Sequence, residues 1–383
     1  MRILFFSHIF LPAIDGGSQL IYKLIQDYKE KGNEVLVLTS DGYSTDDFIN
    51  PRAEKTKWGI SRIRRIRLIR IRTIRKLRLF FRFLEKFSPL QYIDILKYLF
   101  SLLQTGPVFL SLPIRFFKKW KPEVIIAGVF PTTVPVYGYL LAKILKAKFV
   151  LVPCFHIDDK NFYRWPLIPV LKRADKIMAL TNFEKEFYVE KFGIDEKKIQ
   201  IYRYEIRDTG YGIWGKKEPM ILFLGAKAAH KRVEFLIDAF IKLVSSNENC
   251  RLVLAGKETL YSLVLRKKIE HLSKKIKNKI KYLGEVSERK KYQLIDECRV
   301  LVNPSIHESL GLVFFEAWAR KKPVIAANLP VLKEVIRDKI DGLLFEKDNV
   351  EDLVDKIKKV IRDKRYARKL GMNGYKKVNG LTG

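Results

Sequence analysis

Ser305-Ile306-His307-Glu308-Ser309-Leu310-Gly311-Leu312-Val313-Phe314-Phe315-Glu316-Ala317 sets two carboxylates eight positions apart, the first just before an apolar run and the second inside it. Asn303, Pro304 and Ser305 punctuate the end of a predicted strand, Arg299 to Val302, and a helix is expected to open near Ser309 to Gly311. Glu308 then stands on the loop at the helix mouth, beside backbone N–H groups and the positive end of the helix dipole, a natural seat for phosphates and hydroxyls. At about 100° per residue, eight positions leave a net rotation of about 80°, so Glu316 is expected to face the same quadrant about two turns deeper. Taken alone, the pair also reads as a dipole partner and a solvated helix residue.

Outward from this stretch, short β-branched runs alternate with amphipathic ones, the pattern of βαβ units and parallel sheets. In the first half the predicted strands are Ile3 to Ser7, Val35 to Ser40, Val124 to Gly128, Phe149 to Phe155, Ile177 to Thr181 and Ile199 to Arg203. In the second they are Ile221 to Gly225, Leu252 to Gly256, Ile280 to Leu283, Arg299 to Val302, Pro323 to Ala327 and Gly342 to Phe345. Between the sets, residues 204–218 are rich in Gly, charge and Tyr and lack periodicity. The expectation is an α/β chain of two tandem Rossmann-like, doubly wound domains, 1–203 and 219–383, joined by this linker and facing each other across a ligand cleft.

A chain of 383 residues with 48% hydrophobic and 12% aromatic residues is ample for two cores, which excludes global disorder. The formal net charge of +32 predicts attraction to polyanions. Cys154, Cys250 and Cys298 are widely separated, without metal-ligand spacing, and read as buried reduced thiols of a cytosolic protein. The apolar start, Met1 to Ser7, runs directly into Pro12 and Asp15-Gly16-Gly17 and reads as a first strand, not a leader. Tyr98 to Ile114 carries Gln104, Gly106, Pro107 and Pro113 and reads as a buried or surface segment, not a span.

Three further places carry candidate chemistry. Gly16 and Gly17 precede a helical pattern, Gln19 to Lys31, and let backbone approach a ligand closely, without the G-x-G-x-x-G spacing of a dinucleotide site. His156 follows the strand Phe149 to Phe155 at an edge that faces the expected cleft, a position where a histidine also reads as structural. Gly225 to Arg232 joins a strand to the helix Val233 to Leu243, and its cations Lys227, Lys231 and Arg232 suit a diphosphate.

The Glu308 to Glu316 segment resembles the Glu-x7-Glu signature of retaining glycosyltransferases of the family 4 type (glycosyl transferases group 1), which have the GT-B fold. The resemblance is strong from about Pro219 to Asp363 and looser before that. It implies that Glu308 and His156 lie against the donor sugar as the catalytic residues, and that Glu316 binds the nucleotide ribose. Ser309, Gly311 and Leu312 are then expected to line the substrate, as are Gly16 and Gly17. Lys231 matches the family's phosphate lysine, whereas Ala226 occupies its arginine position, leaving Lys227 or Arg232 as substitutes. Glu334 matches an acidic position in the segment that closes around the nucleotide and is expected to cap a helix. No Asp-x-Asp motif occurs, which fits a metal-independent hexosyltransferase with no cofactor, using a UDP- or GDP-sugar as co-substrate. The expected acceptor is a glycan or lipid-linked acceptor in cell-surface polysaccharide or glycoconjugate synthesis. The family's closing helix returns to the first domain, whereas this sequence ends at Val378 to Gly383. A non-catalytic sugar- or polyanion-binding scaffold is the alternative.

From Lys55 to Leu84 there are twelve Lys or Arg and no acid. Ile63, Ile66, Ile74, Leu77, Phe81 and Leu84 fall near helical spacing, while Arg70-Ile71-Arg72 alternates as a strand does. An anionic membrane surface is the expected partner of this basic amphipathic segment, giving a peripheral protein at the cytoplasmic face. A solvated face of the first domain and nucleic-acid binding, the least favoured, remain alternatives.

Overall fold

The computed structural model describes residues 1–12, 15–43, 55–73, 106–109, 111–206 and 218–380. The chain divides into two compact units, Met1–Tyr202 and Arg203–Gly383.

The first unit is built on β1 (Arg2–Ser7), β2 (Glu34–Ser40), β3 (Gly59–Ile63), β4 (Ile66–Ile71), β5 (Val124–Gly128), β6 (Lys148–Val152), β7 (Lys176–Ala179) and β8 (Ile199–Ile201). They form one sheet in the order β3-β4-β2-β1-β5-β6-β7-β8, parallel except for the β3–β4 pair. Ile3 to Phe6 are inaccessible on both sides of β1, because a parallel strand with helices over both faces needs a continuous apolar run. The helix Gly16–Glu30 contributes Leu20, Ile21, Leu24 and Ile25 to this burial. Strand order reverses between β1 and β5, so the loops leaving those two strands flank the switch point where such sheets bind ligands.

The hairpin β3–β4 corrects the helical reading of the basic segment over 59–71. Ile66, Leu68, Ile69 and Ile71 are buried where β4 pairs with β2. Arg64 and Arg65 turn the corner with φ of 48° and 63°, the double left-handed conformation that matches strand twist in a two-residue hairpin. Pairing with an existing sheet edge buries this apolar set, which decides between two periodicities that the sequence alone leaves level. The rest of that segment, 74–84, lies outside the described residues, as do most of Tyr98 to Ile114 and residues 207–217 of the expected linker. Among the described residues no helix is long and apolar enough to cross a membrane.

The second unit contains β9 (Met220–Leu224), β10 (Arg251–Ala255), β11 (Ile280–Tyr282), β12 (Val300–Asn303), β13 (Val324–Ala327) and β14 (Leu343–Phe345). Their order, β11-β10-β9-β12-β13-β14, is the doubly wound 3-2-1-4-5-6 arrangement with its switch point between β9 and β12. Every pair is parallel. Leu343 to Phe345 closes one edge, and the helix Val350–Arg362 covers it with Leu353, Ile357 and Val360. The three cysteines are buried and free; burial pushes the Cys298 thiol up to about 12 and the Cys250 thiol to about 11.

Candidate active site

The loops leaving β9 and β12, the two strands at the switch point of the second unit, are stitched together by backbone. Ile306 N–H donates to the His230 carbonyl at 3.0 Å, and Ser305 Oγ donates to the same oxygen at 3.3 Å. This stitch brings Lys231, in the short turn Ala229–Lys231, to Glu308: Nζ lies 2.5 Å from Oε1. Asn303, the last residue of β12, donates from Nδ2 to the same carboxylate oxygen at 2.9 Å, while its own Oδ1 accepts from Ser305 N–H at 3.2 Å. Glu308 is only 9% accessible and Lys231 20%, so the pair is shielded from most screening by solvent. An ammonium has three donors; one goes to Glu308, leaving two for an incoming anion.

Gly311 begins the helix Leu312–Ala319 with φ of 74°. Only glycine adopts this without strain, and a Cβ here would run into the Phe314 ring. Ser309 and Leu312 are half-buried at this helix mouth. Glu316, one turn in, is buried and ion-paired with Lys291 from the helix Glu288–Glu297 at 2.5 Å. Burial alone would lower the Lys291 pKa, but the Glu316 carboxylate and its hydrogen bond raise it above the ordinary lysine value. Glu316 is therefore no solvated helix residue. Each carboxylate of the quoted stretch carries its own lysine.

The structure bears on three of the expected site residues. Lys227 is turned away from any ligand: its ammonium is inaccessible, donates to the carbonyls of Gly256 (2.5 Å) and Leu283 (2.6 Å), and lies 3.5 Å from Glu258. With every donor engaged, it ties the loops after β9, β10 and β11 together. Arg232 is also engaged, by Asp348 at 2.7 Å and Glu234 at 3.1 Å, so its charge is neutralised within the unit. Glu334 does not cap the helix that carries it: it lies in the last turn of Pro330–Val335, whose N-cap is Leu329. Pro330 supplies the start of that helix, since a missing N–H costs nothing at the first position. Sequence reasoning in turn missed Asn303, read there only as strand punctuation, and Lys291, which stands in a helix with two other cationic residues, Arg289 and Lys290, and carries no local signal.

In the first unit, Asp15 caps the helix Gly16–Glu30: Oδ1 accepts from Ser18 N–H at 2.8 Å, and Ser18 Oγ accepts from Asp15 N–H at 2.8 Å. Buried His8, just past β1, holds the other carboxylate oxygen from Nε2 at 2.7 Å. Burial alone would raise the Asp15 pKa, but the His8 imidazole and the Ser18 donors hold it well below the usual carboxylate range. Gly16 opens on empty space, whereas a Cβ on Gly17 would lie 2.8 Å from Val129 on the loop leaving β5. Gly17 thus lets the two switch-point loops touch. His156 stands four positions beyond β6, which ends at Val152 and not at Phe155 as expected, because Pro153 has no N–H for the ladder. Its ring stacks on Phe162 at 4.7 Å. Buried Glu184 fixes this loop, accepting from Phe155 N–H at 3.0 Å and Leu180 N–H at 2.6 Å.

Solved structures share this architecture over nearly the whole chain. HepE from Anabaena, in a crystal structure with UDP-glucose, superposes with a TM-score of 0.72 at 16% identity, covering 99% of this chain and 95% of that one. Sucrose-phosphate synthase from Thermosynechococcus elongatus gives 0.71 at 19% identity, covering 99% and 94%. The chain has the GT-B glycosyltransferase fold. Residues 212–377 match the family model described as glycosyl transferases group 1, which accounts for the GT-B unit that carries Lys231, Glu308 and Glu316. An uncharacterized glycosyltransferase of Methanocaldococcus jannaschii, MJ1178, is 32% identical over 228 residues, 57% of each chain. The O-antigen chain mannosyltransferase RfbU of Salmonella typhimurium is 27% identical over 242 residues, 60% of this chain and 65% of that one. The chain thus spans less than two thirds of the length of these two curated relatives.

Proposed function

We propose that this GT-B chain is a retaining glycosyltransferase of the family 4 type that transfers a hexosyl group from a nucleoside diphosphate sugar, such as a UDP- or GDP-sugar, to a glycan or lipid-linked acceptor in cell-surface polysaccharide or glycoconjugate synthesis. The observation that carries this reading is the meeting of Lys231 and Glu308 at the switch point of the second sheet. Lys231 would take the diphosphate with its two remaining donors. Glu308 would bind the donor sugar, and Glu316 with Lys291 the ribose end. In the reaction the bond from the sugar anomeric carbon to the diphosphate oxygen breaks as the acceptor hydroxyl attacks from the same face, and its proton passes to the departing diphosphate. Lys231 stabilises the charge that develops on that leaving group, so no metal is needed for this task. Gly16, Gly17 and His156 of the first unit would meet the donor sugar and the acceptor.

Relatives support a polysaccharide setting: one is named for O-antigen chain mannosyl transfer and another, CapM of Staphylococcus aureus, for capsular polysaccharide biosynthesis. Residence at the inner face of an anionic membrane is supported by the edge hairpin, where Trp58 and Ile60, each more than 60% exposed, stand among exposed Arg62, Arg64, Arg65, Arg67 and Arg72.

The test is thermal stabilisation of the purified chain by UDP, GDP, ADP and their sugar conjugates, alongside Glu316→Ala, because a ligand that binds only the folded state raises its stability. One base should stabilise the wild type selectively, and the variant should lose that response. A folded wild type that answers to none of them overturns the reading. A second reading, a sugar- or polyanion-binding scaffold without turnover, is favoured by the engaged Lys227 and Arg232 and by Ala226 at the family's arginine position. Sugar transfer from any of the donors eliminates it.

A further inference from the structure

Arg70 of β4 is a buried guanidinium, 6% exposed, with no carboxylate paired to it among the described residues. It is in register with Thr39 of β2, which is in register with Ser7 of β1. Partners in adjacent parallel strands point to one side of the sheet, so these three side chains form a row near the carboxyl ends of the strands. Arg70 Nη2 donates to the carbonyls of Phe10 and Leu11 on the loop leaving β1. Arg70 Nε and Thr39 Oγ1 are both buried without a hydrogen-bond partner. Asp41, the buried carboxylate next along this edge, accepts from Thr73 Oγ1 at 2.6 Å. Burial lowers the Arg70 pKa from the ordinary arginine value, offset in part by the Tyr43 phenol, yet a guanidinium stays charged in a protein.

A buried cation without a counter-charge and a buried donor without an acceptor are each unfavourable, and both are relieved by one anion. The Arg70 Nε–H and the Thr39 hydroxyl offer two donors beside a fixed positive charge, a set that fits an oxyanion such as phosphate. We propose that Arg70 and Thr39 form a phosphate-binding subsite of the first unit, which selects an acceptor carrying a phosphate group. Only the assignment of that phosphate to an acceptor rests on the glycosyltransferase reading; the anion site itself does not. A purely structural Arg70 would strap the loop through Nη2 and need neither Nε nor Thr39.

The test is the thermal midpoint of the full chain titrated with inorganic phosphate at constant ionic strength, in a Lys231→Ala background that silences the donor's cation. A saturable rise is expected, weakened about tenfold or more by Arg70→Gln, as befits loss of a charged hydrogen bond. The change in midpoint on adding phosphate is the readout, so a lower starting stability does not enter. Should Arg70→Gln fail to fold, Thr39→Val carries the test: it keeps the guanidinium and its strap and is expected to weaken the response several-fold. A response that vanishes with Lys231→Ala alone, or that survives both Arg70→Gln and Thr39→Val undiminished, overturns the proposal. Glycerol 1-phosphate compared with dihexanoyl phosphatidic acid tells the source of the phosphate. Equal responses indicate a soluble phosphate, and a stronger response to the acylated form indicates a lipid-linked one. Failure of the glycosyltransferase reading would show separately, as no response of the wild type to nucleotide sugars.

Discussion

Lys231 Nζ stands 2.5 Å from Glu308 Oε1 across 77 positions of sequence. The contact exists because β9 and β12 are neighbours at the switch point, so a loop from the start of the second unit and one from its middle open side by side. Asn303 adds a neutral donor to the same oxygen, which fixes the carboxylate's direction.

Turnover should depend on both members of this pair. Lys231→Ala and Glu308→Ala are each expected to lower kcat by about 10²- to 10³-fold, the scale of losing one preorganised charge-stabilising group. Folding is to be checked by circular dichroism. Wild-type rates from either folded variant would remove the pair from the mechanism.

Lys291 should act on binding more than on chemistry. Lys291→Met leaves the Glu316 carboxylate buried without its cation, an arrangement that costs about 3 kcal/mol when a buried pair is broken. The expected kinetic result is a higher KM for the nucleotide sugar with kcat nearly kept, and partial rescue by Lys291→Arg. An unchanged KM would mean that Glu316 needs no lysine to hold the nucleotide.

Lys227 provides the contrast. Lys227→Met strands the Gly256 and Leu283 carbonyls, at about 1–3 kcal/mol for a buried polar group left unmade, and should lower the urea midpoint clearly. The nucleotide response of the folded variant should persist. Loss of that response at unchanged stability would show that Lys227 reaches the ligand after all.

Asp15 makes stability fall in acid. Its folded pKa is held below the unfolded value, so its contribution is complete above about pH 4 and drains away as the pH falls toward the folded value. Asp15→Asn keeps an N-cap acceptor, since asparagine caps as well as aspartate, and should cost about 1 kcal/mol at pH 7 through the lost charge on the His8 and Ser18 contacts. The gap between wild type and variant should narrow between pH 5 and pH 3 in denaturant titrations. A gap independent of pH would show that the carboxylate's charge is not what the His8 and Ser18 contacts stabilise.

Much of the frame was legible in the chain. Twelve predicted strands recur in the structure within a few residues, because central parallel strands bury both faces and so write themselves as apolar runs, as Ile3 to Phe6 and Ile221 to Phe223 do. The hairpin β3–β4 was not legible. Arginines interleaved with isoleucines satisfy two periodicities at once, and only the neighbouring edge of β2 decides between them. Within the site, Glu308 and Lys231 drew attention through their positions at strand ends, whereas Asn303 and Lys291 gave no sign.

The sequence by itself determined the alternation of strands and helices, the glycine that lets the Glu316 helix begin at Gly311, and which loops carry charge. Only the tertiary structure decided how those charges are spent. In the loop after β9, Lys227, Lys231 and Arg232 are close equivalents in sequence, yet one binds carbonyls inside the unit, one meets Glu308, and one is neutralised by Asp348 and Glu234. An ammonium or guanidinium takes the partners that lie within hydrogen-bond reach, and apart from Glu234, two positions from Arg232, these come from the loops after β10, β11 and β12 and from beyond β14, whose nearness is a property of the folded sheet and not of the order of residues.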